Sequence, residues 1–162
     1  MNPYTLTLLR HAPGTPEDAA SALFASWRRI VELAPVTAMA TGTDRVGREF
    51  AVARALAAGV PLRVDERFDD PRSSSLDLSE WFDTLLLTGF SEWICETRGS
   101  HRVLVAGGEA IASLMAELLG IGRSTADLLE VRPGGFAQLT LLEGHPAYLM
   151  RLEPPPRDFA AD

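Results

Sequence analysis

The strongest constraint on this chain is an alternation of short, β-rich apolar runs with longer stretches of helical periodicity. Thr5 to Leu9 reads Thr-Leu-Thr-Leu-Leu, the pattern of a buried strand, and stops at Arg10-His11. Pro13-Gly14-Thr15-Pro16 follows as a loop. Glu17 to Leu33 then carries Ala20, Leu23, Trp27, Ile30 and Val31 at helical spacing, with Thr15 or a neighbour as its cap. The succession repeats. Val36 to Ala40 reads as extended, Thr41-Gly42-Thr43-Asp44 as a turn, and Arg45 to Ala58 as a helix closed by Gly59, before a short extended piece from Pro61 to Val64. The polar segment from Asp65 to Leu78 reads as a loop, and Glu80 to Glu96 as helical with a break at Gly89. Arg102 to Ala106 is a further strand, followed by Gly107-Gly108 and a helix from Ala110 to Leu119 that Gly120 closes. Phe136 to Leu142 and Ala147 to Leu152 flank Glu143-Gly144-His145-Pro146 as a hairpin. Such alternation predicts an α/β fold, a three-layer sandwich with a mainly parallel central sheet flanked by helices. Function in such sheets concentrates at the carboxyl ends of the strands.

The 162 residues are 46% hydrophobic, enough for one sizeable core. With no internal repeat and no long linker, residues 1–153 read as a single domain and 154–162 as a Pro-rich tail. The formal net charge of -7 argues against a nucleic-acid partner, which needs clustered Lys and Arg. It leaves room for a small phosphorylated ligand, since two or three placed Arg outweigh the overall charge locally. The lone Cys95 permits no intramolecular disulfide and is compatible with a cytoplasmic location. Within Trp93-Ile94-Cys95 it reads as an inert, partly buried thiol, and the three Trp as packing residues. The start of the chain lacks the pattern of a signal peptide, and no apolar run is long enough to cross a bilayer, so no membrane partner is expected. Three dispersed His and one Cys give no metal-site spacing, so neither metal nor cofactor is expected.

The chemistry concentrates in Leu8-Leu9-Arg10-His11-Ala12. Two polar groups that are costly to bury end an apolar strand, and a bound anion would supply their partner. An imidazole can also attack phosphorus directly, dividing one difficult transfer into two steps.

Here the sequence resembles the histidine phosphatase (phosphoglycerate mutase-like) superfamily, whose first strand ends in Arg-His-Gly or Arg-His-Ala with the His as phosphoryl acceptor. Four further stretches fall in the family's order. Ala40-Thr41-Gly42-Thr43-Asp44-Arg45 is similar to the turn whose Arg binds phosphate, and Val46 to Leu56 to the helix after it. Asp65 to Asp70 is similar to the segment that holds the general acid, and Val103 to Gly120 to the strand-His-Gly-helix segment. The resemblance implies a phosphomonoesterase working through a phosphohistidine. His11 would be the nucleophile, Asp70 or its neighbour Asp69 the acid, and Arg10, Arg45 and Gly108 the phosphate-binding residues. The substrate would be a small metabolite phosphomonoester, a ribazole phosphate-type compound among them, or a phosphohistidine on another protein.

The sequence also departs from the family. Gly107 stands where the second His belongs, and a lost donor of that kind typically costs about 10²–10³ in rate. Glu109 stands where the family has a small or neutral residue, and either repels phosphate or simply faces a helix N-terminus. The residues between His11 and Arg45 lack the usual pocket-shaping loop. His101 is expected at the opposite end of the sheet and His145 in a turn, so neither is placed to replace the second His. The alternative is therefore a catalytically inactive relative that binds a phosphate ligand or a protein.

Overall fold

A computed structural model of the chain describes residues 2–11, 16–71 and 77–156. The elements run β1 (Tyr4–Arg10), α1 (Pro16–Leu33), β2 (Ala38–Thr41), α2 (Arg45–Ala58), β3 (Leu62–Val64), α3 (Leu78–Trp81), α4 (Leu87–Glu96), β4 (His101–Ala106), α5 (Gly108–Leu119), α6 (Arg123–Asp127), β5 (Phe136–Leu141) and β6 (Tyr148–Glu153). The Thr15 cap lies outside the described residues. One six-stranded sheet has the order β3-β2-β4-β1-β5-β6. The first four strands of that order pair in parallel, and β5 and β6 add an antiparallel margin, the expected hairpin.

Alternation along the strands builds the layers. In β4, Val103 and Val105 join Leu9, Met39 and Phe136 beneath Leu23, Trp27 and Phe50 of α1 and α2. Leu104 and Ala106 face the other way, with Leu6 and Leu8, towards Trp81, Phe90, Trp93 and Leu114 of α3, α4 and α5. A strand buried on both faces is apolar throughout, which is why β1 and β4 are legible as continuous apolar runs. The fold is the expected three-layer α/β sandwich.

Three sequence readings need correction. Asp65 does not lead a featureless loop: its carboxylate accepts from the Arg67 amide and starts a 3₁₀ turn over Glu66–Phe68 that buries Phe68 in the core. Gly89 does not break a helix. It lies inside α4 against the Arg67 side chain, and the irregularity is instead a π turn over Phe82–Leu86. Cys95 is exposed rather than partly buried. No described helix is long and apolar enough to cross a membrane.

Candidate active site

Strand register brings the site together. Arg10 pairs with Ala106 across β1 and β4, so His11 and Gly107 emerge side by side, and the His11 amide donates to the Ala106 carbonyl at 3.0 Å. Thr41 pairs with Val105 across β2 and β4 and donates its hydroxyl to that carbonyl at 3.1 Å, which sets Thr43 and Asp44 at the same rim. The Asp65 amide donates to the Thr41 carbonyl at 3.0 Å, anchoring the turn that delivers Asp69 and Asp70. The described residues enclose a cavity of about 290 Å³ lined by His11, Thr43, Asp44, Asp69, Asp70 and Gly107.

Each carboxylate there is engaged with backbone amides. Asp44 caps α2 by accepting from the Gly47 amide at 3.1 Å, and its other contact is with His11 Nδ1 at 3.6 Å. Asp70 accepts from the Ala110 amide of α5 at 2.8 Å. Asp69 accepts from the Thr43 amide at 2.6 Å and from the Thr43 hydroxyl. Amides at helix starts are natural anion sites, and here the chain's own carboxylates fill them.

Small residues make the room. A side chain on Gly107 would collide with the Asp70 carboxylate, and one on Gly47 with His11 Nε2. His11 Nε2 is accordingly buried and has no hydrogen-bond partner among the described residues. Burial holds the His11 imidazole below its ordinary pKa, against upward pulls from Asp44, Asp70 and Asp69 and a smaller downward push from Arg10.

The expected residues divide. His11 and Asp70 meet in the cavity, with Asp69 beside them. Arg10 does not line it: its guanidinium lies against Gly108, donates to the Val131 carbonyl at 2.7 Å and pairs with Glu130 at 3.5 Å. Arg45 also stands apart from it. As the first residue of α2 it points into solvent and pairs with Glu49 one turn on, at 3.1 Å, so its guanidinium does not line the His11 cavity. Glu109 is also outside the cavity, bonded to Arg123 at 2.8 Å. Sequence reading missed Asp44 as a site residue, although its place as the last polar residue before a helix was visible as a cap signal. Among the described residues no His, Cys, Asp and Glu group is arranged to hold a metal ion.

No protein-family model matches the chain, and no curated protein matches it. Solved structures do. Mycobacterial hydrolase 1 is 16% identical with a TM-score of 0.73, over 96% of this chain and 100% of that one. A mycobacterial glucosyl-3-phosphoglycerate phosphatase, also solved in complex with VO3, is 15% identical with a TM-score of 0.72 over 93% of this chain and 99% of that one. The phosphoglycerate mutase of Plasmodium falciparum is 14% identical with a TM-score of 0.70, over 97% of this chain and 96% of that one. The chain has the phosphoglycerate mutase-like fold over nearly its whole length.

Proposed function

On the premise of a phosphoglycerate mutase-like fold, we propose that this chain is a histidine phosphatase relative whose phosphate site is occupied by its own carboxylates, and that it acts by binding rather than by hydrolysis. The observation that carries the reading is the set Asp44, Asp69 and Asp70 around His11, with Arg45 turned outward. A histidine phosphatase needs one protonatable acid beside the phosphoryl group, together with cations that clamp its oxygens. Among the described residues, three carboxylates line the cavity and no guanidinium does. One carboxylate about 4 Å from a phosphoryl oxygen costs on the order of 4 kcal/mol at an effective dielectric near 20, roughly a thousandfold in affinity. The imidazole nitrogen away from Asp44 is buried against Gly47.

The test is hydrolysis of an aryl phosphate by the wild type and by His11→Ala, with orthovanadate binding followed by NMR. Equal background rates and no vanadate-induced shift at His11 are expected. A wild-type rate that His11→Ala abolishes, or an acid-labile phosphoryl group trapped on His11, would overturn the proposal.

One observation favours a second reading, a slow phosphomonoesterase acting on a small metabolite phosphate or a protein phosphohistidine. Burial favours the neutral, nucleophilic form of His11, and Asp70 lines the same cavity, where this reading assigns it the role of acid. A His11-dependent rate that Asp70→Asn also removes would select it.

A further inference from the structure

A larger cavity than that at His11 lies at the other end of the sheet. It measures about 690 Å³, within the range of small-molecule sites. Tyr4, the first residue of β1, lines it, whereas His11 follows the last, about 20 Å away at strand rise. Nothing in the reading of the His11 site depends on it.

Its distinguishing group is Arg102. This side chain belongs to a residue only 7% exposed. The guanidinium sits 3.9 Å over the Tyr4 ring, and donates to the Ile94 carbonyl at 3.0 Å and the Gly99 carbonyl at 3.3 Å. No described carboxylate lies within ion-pair distance of it. Buried cations are ordinarily paired, because two carbonyls and a ring face offset only part of the lost hydration. Arg98 lines the same cavity and is exposed, and Glu143 is the single described carboxylate there. Among the described lining residues, two guanidinium groups stand against one carboxylate, an excess of one positive charge. Ile94, Leu118 and Leu142 supply an apolar wall beside it.

We propose that this cavity binds a monoanionic carboxylate with an apolar body, its carboxylate facing Arg102 and Arg98 and its hydrocarbon lying on Ile94, Leu118 and Leu142. A single negative charge matches the cavity, whereas a phosphate dianion would exceed it and meet Glu143. A carboxylate also fits the planar fork of a guanidinium. The exposed thiol of Cys95 lines the same cavity and reports on its occupancy.

The experiment is calorimetric titration of the full chain with sodium octanoate, octylammonium and 1-octanol, in parallel with the rate at which Cys95 reacts with an aromatic disulfide. Octanoate should bind at least about tenfold more tightly than the alcohol, the worth of one charge-assisted hydrogen bond, and should slow the Cys95 reaction. Arg98→Glu, a surface change, should weaken octanoate about tenfold and leave the alcohol unaffected. Arg102→Met should abolish the preference for the anion; if that variant does not fold, the head-group series and Arg98→Glu decide. Equal affinity for octanoate and octanol, tighter binding of octylammonium, or a Cys95 rate indifferent to octanoate would overturn the proposal.

Discussion

At the residue scale, Asp70 and position 107 share one volume. The Asp70 carboxylate stands where any side chain on Gly107 would begin. There it accepts from the Ala110 amide and closes the start of α5. Restoring a side chain at 107 therefore displaces a cap as well as filling space. Gly107→Ala should destabilise the fold by about 1–3 kcal/mol through overpacking. Asp70→Ala should cost about 1 kcal/mol through the lost cap. The double variant should cost less than the two together by more than about 0.5 kcal/mol, since the second change removes the collision. Urea unfolding of the four proteins measures this, and strict additivity would show that the two residues do not compete for space. Both residues were conspicuous in the sequence. Their exclusion of one another was not, because it depends on how the turn after β3 lies against the turn after β4.

At the scale of elements, α2 joins its own capping to the state of His11. Asp44 satisfies the Gly47 amide and also faces the imidazole, whose pKa it pulls upward. Asp44→Ala should therefore lower stability by about 1 kcal/mol and move the NMR titration of His11 to lower pH. An unmoved or upward-moving titration would mean that Asp44 does not act on the imidazole. The bounds of α2 were plain in the sequence: Asp44 is an N-cap residue, and Gly59 adopts φ 68°, a left-handed turn that side chains rarely tolerate. The outward course of Arg45 was not plain. A turn motif aligned by order gives the position of a residue along a helix start but not the direction of its side chain, and Glu49 one turn on holds Arg45 in solvent. α6 was missed because five residues are too few to show a helical period. The π turn leaves no mark in periodicity, since the apolar face continues across it from Trp81 through Leu86 to Phe90.

Across the whole molecule, the sequence pattern carried the layers and the parallel core because the core strands are apolar on both faces. The meeting of His11, Asp44, Asp69 and Asp70 required the pairing register, which alternation alone does not set. The same register builds a polar chain through the middle of the sheet. Thr5 pairs with His101, so the buried His101 ring reaches Thr7 one step along the same face. His101 Nδ1 lies 3.1 Å from the Ala34 carbonyl, which can only accept, so this nitrogen carries the proton. Nε2 then accepts from the Thr7 hydroxyl at 2.7 Å, and Thr7 accepts from the Gln138 amide at 3.1 Å. The chain ties β5, β1, β4 and the end of α1 together through a neutral imidazole. Burial lowers the His101 pKa, outweighing the upward pull of the Ala34 carbonyl, and His11 is lowered in the same direction. The sign follows from proton counts. Below about pH 6.5 the unfolded chain protonates both imidazoles while the folded chain still excludes those protons, so the unfolded state binds more and stability falls with falling pH. The loss begins near pH 6.5 and ends below the two folded-state values, at no more than about 1.4 kcal/mol per pH unit for each histidine. Urea unfolding from pH 7.5 to 5.5 should show this decline. His101→Gln, which keeps one donor and one acceptor, and His11→Ala should each flatten it, and the double variant should leave the window nearly level. A wild type whose stability is constant or rises across that range would mean that neither imidazole is held neutral by burial.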